Sequence, residues 1–298
     1  MIPELLTRNV IENWPATGEA WLAALPALID EISSRWKLTV HRPYPMTFHW
    51  VTAVTGKNGK SGVLKLGIPD GHLSAEAEAL RIFDGDGAVR LVAEDAARGA
   101  LLMERARPGT PVTSLVEQDD AAATAVLIEA GRRLHRVPPP ECTLPHLRDE
   151  GADLRGYLHR YAGDGPIPRR LFERAAELFD DLCATAPLDL VLHGDLHHDN
   201  VLRDGDRWRA IDPFGRVGDP GYDGGVLLYN PRPDVRDPGL LRLVPARIEQ
   251  LADGSPMDRV VAWGFVAGVL SEVWTVEAGG AATRALDVAR LLEPRLGA

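Results

Sequence analysis

Residues 193–200 read HGDLHHDN. The stretch follows the apolar run LDLVL (188–192) and precedes VL. Three histidines, two aspartates and an asparagine in eight residues admit three readings: a metal cage, a catalytic loop, or a polar turn after a strand. As a cage, His193, Asp195, His197, His198 and Asp199 are all competent ligands. No histidine follows position 198, however, so Asp212, Asp219 or Asp223 would have to complete the coordination sphere.

The spacing suits phosphoryl transfer better. His193-x-Asp195-x4-Asn200 has the spacing of the kinase loop H-R-D-x-x-x-x-N. An aspartate must face the attacking hydroxyl and take its proton. An asparagine a turn later offers a neutral oxygen to a magnesium ion. A second carboxylate is then needed for the metal, and Asp212 offers it at the end of the strand-like RWRAID, just before PFG. The same chemistry requires a lysine on an upstream strand and a glutamate on the next helix to hold it. GVLKLG (62–67) presents Lys65 among apolar neighbours, where a lone lysine needs an anionic partner. SAEAEALRIF (74–83) offers Glu76 and Glu78, which cannot share a helix face. Glu76 lies nearer the stripe of Leu80 and Phe83, so it is the preferred partner.

The surrounding chain supports a β-rich unit followed by helices. Residues 18–36 carry apolar positions at helical period, from Trp21 to Trp36. GKNGKSG (56–62) is a turn between HWVTAVT and GVLKLG, which reads as an antiparallel hairpin. Ser74 is the expected N-cap of the helix that follows. AVRLVAED (88–95) and GALLMERA (99–106) are further strands. Beyond the seam ERARPGTP (104–111) come helices at 121–137, about 168–184 and through the tail 237–298, with short strands flanking the opening stretch. The expected fold class is α+β in two lobes: residues 1–104, N-terminal helices plus a β-rich lobe, and 105–298, a helical lobe.

Bulk properties narrow the function. The chain has 298 residues and a formal net charge of −10, which argues against a nucleic-acid face and weakly favours a cationic ligand. Cys142 and Cys183 are expected to be reduced thiols. The first residues, MIPELLTRNVIENW, lack the apolar core of a signal peptide. VVAWGFVAGVL (260–270) is too short to span a bilayer and reads as a buried helix. These features place the protein in the cytoplasm, away from membranes.

HGDLHHDNVL, IDPFGRVGDPGYD (211–223), LLMERARPGTPV (101–112) and LHRVP (134–138) together resemble the antibiotic phosphotransferases of protein-kinase-like fold. The finer similarity is to the aminoglycoside/hydroxyurea resistance kinases, whose members include streptomycin 6-phosphotransferases. The resemblance spans most of residues 37–275. It implies a protein-kinase-like two-lobed fold with a small antiparallel N-lobe, and ATP with Mg²⁺ as cofactors. It makes Asp195 the catalytic base, Asn200 and Asp212 the metal ligands, Lys65 the α/β-phosphate contact and Glu76 its orienting partner. The backbone of Glu104 and Ala106 would bind adenine, with Met103 lining its pocket. Two departures stand out. No G-x-G-x-x-G precedes Lys65, where HRPYPMTFHW (41–50) stands instead, and a proline follows Asp212.

A cationic acceptor, such as an aminoglycoside, wants carboxylates beside aromatic faces. VLSEVWTVEAGG (269–280) offers Glu272, Trp274 and Glu277, and His197 borders the catalytic aspartate. The alternatives are a kinase of another amino sugar, sugar or small metabolite, a nucleotide-binding pseudokinase, and a metal-dependent hydrolase.

Overall fold

The computed structural model describes residues 2–46, 48–161, 165–234 and 237–297. Two helices come first, α1 (Glu4–Asn13) and α2 (Gly18–Trp36). They are followed by β1 (Leu38–Pro43), β2 (Trp50–Gly56), β3 (Ser61–Leu66), α3 (His72–Phe83), β4 (Leu91–Asp95) and β5 (Ala100–Glu104). The five strands form one antiparallel sheet in the order β1-β2-β3-β5-β4. The expected hairpin is β2–β3, with Val51 opposite Lys65.

Strand alternation divides the sheet's residues between two faces. Leu64, Leu66, Ala100 and Leu102 pack with Leu6, Val10, Leu25 and Ile32 of the first two helices. Leu101 and Met103 join the other core, with Leu73, Leu80 and Phe83 of α3. Both faces are covered, so β5 is buried at four successive positions and shows no polar alternation. Each fully buried Leu or Ile contributes about 1.5–3 kcal/mol. Lys65 projects from the face opposite Leu64 and Leu66, and that alternation aims its ammonium at the cleft.

The chain leaves the sheet after Glu104. β6 (Pro108–Pro111) pairs with β8 (Val201–Asp204), which pairs with β9 (Arg207–Ala210). β7 (Leu190–Leu192) pairs with β10 (Arg216–Gly218). These short strands thus form two small ladders that hold the 193–200 loop between them. The remaining α-helices are α4 (Thr113–Val116), α5 (Asp120–Leu134), α6 (Gly151–Arg160), α7 (Arg169–Ala184), α8 (Gly221–Tyr229), α9 (Pro238–Leu241), α10 (Val244–Ala252), α11 (Met257–Glu277) and α12 (Arg284–Leu292). α11 is long and apolar enough to cross a membrane, yet 78% of its most apolar window is buried within the protein. It is the central helix of the C-terminal core, packed on α7, α8 and α12.

Two local expectations are corrected. α3 begins at His72, and its N-cap residue, Gly71, offers no side chain. Asp70 Oδ1 accepts the His72 N–H at 3.1 Å, so an aspartate just upstream does the capping expected of Ser74. Residues 88–90 are not strand: Ala88 bridges to Ala210 and Val89 N–H bonds the Ala210 carbonyl, tying this segment to β9. Cys142 and Cys183 are free thiols.

Candidate active site

The 193–200 loop is held from behind by one buried carboxylate. Asp223 on α8 accepts the N–H groups of His193 (3.0 Å) and Gly194 (2.9 Å) and bonds His135 Nε2 at 2.9 Å. His193, fully buried, reaches the Ile211 carbonyl through Nε2 and accepts the Asp195 N–H at Nδ1. Burial lowers its pKa, so it stays neutral and organises the loop. His198 is fully buried as well. The three histidines face different surroundings, and among the described residues no three His, Cys, Asp or Glu side chains converge as a metal cage.

Asp195 and Asn200 meet in the cleft. Asn200 Nδ2 donates to the Asp195 carbonyl (3.0 Å) and to Asp195 Oδ2 (3.2 Å). His197 Nε2 lies 3.4 Å from the same oxygen. Burial acts to lower the His197 pKa, but the Asp195 carboxylate outweighs it and the net shift is upward. Ile211 N–H bonds the Asn200 carbonyl, which sets Asp212 beside this pair. Asp212 has φ +61°, a left-handed conformation that aspartate tolerates better than most residues. Gly215, at φ +67°, lets the loop approach α3: a Cβ there would lie 2.8 Å from the Ala75 carbonyl.

Lys65 joins the two halves. Its ammonium donates to Glu76 Oε2 at 2.5 Å and also to Asp212 Oδ1. Burial disfavours the charge, but two carboxylates hold the Lys65 pKa above its ordinary value. Burial lifts Glu76 to about 7, while Lys65 overcomes burial at Asp212 and holds it down to about 2. Glu78 points elsewhere, accepting the Thr143 N–H at 2.6 Å.

Two cavities meet at this ion pair. One, of about 370 Å³, is lined by Val51, Val63, Met103, Glu104, Ala106 and Ile211 above Lys65. Val51, Val63, Met103 and Ile211 give it an apolar wall, and Ala106 N–H has no protein acceptor among the described residues. A flat heteroaromatic ring with one acceptor nitrogen fits that chemistry. The second, of about 810 Å³, contains Asp195, His197, Asn200 and Asp212. Asn200 and Asp212 suit Mg²⁺, which commonly takes one or two protein oxygens and completes its shell with phosphates and water.

The expected acceptor residues on α11 do not reach this cavity. Glu272 is fully buried and accepts the Thr283 N–H (2.9 Å), the Thr283 hydroxyl (2.8 Å) and the Leu286 N–H (3.2 Å). It caps α12. Trp274 Nε1 donates to Asp153 at 2.8 Å, and Glu277 faces Arg160 at 3.8 Å. Helix α11 is buried at every position from 260 to 270, so local composition could not tell its inner carboxylate from a ligand-facing one. Conversely, His49 borders both cavities, and no local pattern marked it in the sequence.

A lysine–glutamate pair under an antiparallel sheet, with a loop that sets an aspartate beside an asparagine and a second aspartate, defines a small-molecule phosphotransferase of the protein-kinase-like class. Solved structures share the fold. The chain superposes on an aminoglycoside phosphotransferase solved with ADP and hygromycin B at TM-score 0.58 and 15% identity, covering 89% of this chain and 95% of that one. It superposes on the choline kinase of Streptococcus pneumoniae at TM-score 0.59 and 15% identity, covering 91% and 98%. A model of the aminoglycoside/hydroxyurea antibiotic resistance kinases matches residues 35–279, and the chain belongs to that family. It is 36% identical over 290 residues to a streptomycin 6-kinase of Streptomyces glaucescens, covering 94% of this chain and 92% of the relative. It is 35% identical over 309 residues to a hydroxyurea phosphotransferase of Kitasatospora aureofaciens, covering 99% and 87%.

Proposed function

We propose that the chain transfers the γ-phosphoryl group of ATP to a hydroxyl of streptomycin or a closely similar cationic aminoglycoside, as a resistance enzyme. The observation that carries this reading is the convergence of Lys65, Glu76, Asp195, Asn200 and Asp212 on one cleft. A pseudokinase has no use for all five.

In this reading the lobes divide at 104/105, and adenine lies in the smaller cavity against Met103, bonded by the backbone of Glu104 and Ala106. Lys65, oriented by Glu76, contacts the α- and β-phosphates. Asn200 and Asp212 would hold Mg²⁺, which would supply neutralisation of the phosphate charge. Asp195 accepts the acceptor's proton. Its Oδ2 is occupied by Asn200 and His197, which leaves Oδ1 to face the attacking hydroxyl. Oxygen attacks phosphorus, the bond to the β-phosphate oxygen breaks, and ADP leaves with that electron pair. His197 borders the acceptor.

ADP release in a panel of streptomycin, hydroxyurea, glucosamine and simple sugars tests the reading. Turnover with streptomycin alone supports it. Turnover confined to simple sugars would reject it. Hydroxyurea is the second candidate, because a hydroxyurea phosphotransferase matches the chain at nearly the same identity as the streptomycin kinases.

A further inference from the structure

The large cavity has a rim that the reaction chemistry does not use. Of the exposed large apolar side chains, Leu5 (43%), Phe48 (42%) and Phe214 (45%) all line this cavity. Scattered exposed apolar residues need no explanation, but a cluster at the mouth of a catalytic cleft does. Trp14 and Phe48 meet edge to face, centroids 6.4 Å apart. His72 and Phe214 do the same at 5.6 Å. Asp70 joins the two pairs: Oδ2 accepts Trp14 Nε1 at 2.8 Å and Oδ1 accepts the His72 N–H at 3.1 Å. The result is a continuous rim built from four separate segments of chain.

The rim is rigid where it starts. Trp14 closes the turn between α1 and α2, donating its N–H to the Val10 carbonyl at 3.0 Å and accepting from Gly18 N–H at 2.7 Å. It lies outside the stretch that the family model matches. Phe214 stands two residues beyond Asp212, so the rim runs directly into the reaction centre. None of Trp14, Phe48, His72 and Phe214 lines the smaller, nucleotide-sized cavity.

We propose that this aromatic rim holds the part of the acceptor remote from the reacting hydroxyl, so that the turn before α2 is a specificity element of the enzyme. The inference rests on the phosphotransferase reading above. Aromatic faces around a floor of carboxylates suit a guanidinium- or ammonium-bearing ring, which gains cation–π attraction at the rim and charge attraction below it. A preformed rim adds affinity because little side-chain freedom is lost on binding.

Steady-state kinetics of Trp14→Ala, Phe48→Ala and Phe48→Tyr with streptomycin decide the matter. The two alanine variants should raise the KM for streptomycin about tenfold, the effect of losing one well-placed aromatic contact, with kcat and the KM for ATP nearly unmoved. Phe48→Tyr keeps the ring face and should restore the KM. A rise in the KM for ATP instead would assign the rim to the nucleotide and overturn the proposal. So would a fall in thermal stability with no change in the streptomycin KM. Unaltered enzyme that fails to phosphorylate streptomycin overturns the functional reading, and this inference with it. Normal turnover that the rim variants leave unmoved overturns the rim alone.

Discussion

Lys65 and Asp212, 147 positions apart in the chain, form an ion pair across the floor of the cleft, and Glu76 completes it from α3. One ammonium thus serves a buried carboxylate, Glu76, and a half-exposed one, Asp212. Lys65→Met should lower kcat/KM for ATP by about 10²-fold, the usual scale for losing one preorganised contact to a charged group. It also strands Glu76, whose pKa already stands at about 7. The variant's loss of melting temperature should therefore be larger at pH 8, where that carboxylate must ionise, than at pH 6.

Asp195→Ala should remove about 10²–10⁴-fold in kcat, the range for loss of a general base. Nucleotide affinity should stay near normal, because Asp195 lines the larger cavity and not the smaller one. Rapid-quench phosphoryl transfer and ATP titration on the same sample separate the two.

Asn200→Ala and Asp212→Asn should both shift Mg²⁺ dependence to higher concentration, and excess Mg²⁺ should restore part of the Asn200→Ala rate. Asp212→Asn should be the more severe, since it also removes a charge partner from Lys65. Rate against Mg²⁺ at fixed ATP is the measurement; a flat, unshifted profile for both variants would remove these residues from the metal site.

Glu272→Ala should cost stability and leave acceptor kinetics alone. It strips three hydrogen bonds from the start of α12, and loss of a buried charge-assisted network costs about 3 kcal/mol or more. Chemical denaturation set against the streptomycin KM checks both halves.

His49 gives a pH prediction. Its pKa falls to about 3, first through burial and then through the adjacent Lys65. The depressed folded-state value means the neutral ring's contribution is fully present above pH 6.5 and is lost as pH falls towards 3. His49→Gln should therefore flatten the acid slope of the stability curve by up to one proton across that window, as read by urea unfolding at several pH values.

The pairing of Asp195 with Asn200 was legible because it is local: the two lie five positions apart in one loop. Lys65 and Glu76 were legible through strand and helix registers, each short enough to carry its own phase. The acceptor residues were not. Glu272, Trp274 and Glu277 had the right composition, but which way a carboxylate faces at the end of a largely buried helix depends on what packs there. The start of α3 was missed for a similar reason, since Asp70 reached the helix N-terminus before Ser74. The rim of Trp14, Phe48, His72 and Phe214 draws on four distant segments, and no window of sequence contains it.

The two helices that precede the sheet bear on what counts as the minimal enzyme. A family match that begins at residue 35 marks where sequences align, not where the fold can be cut. A chain trimmed there would bare Trp50, Val54, Leu64, Leu66 and Leu102 to water along one sheet face. Such a surface favours self-association over solubility. The boundary recognised by comparison is therefore narrower than the boundary set by thermodynamics, and any shortening, fusion or transplant of this kinase has to respect the wider one.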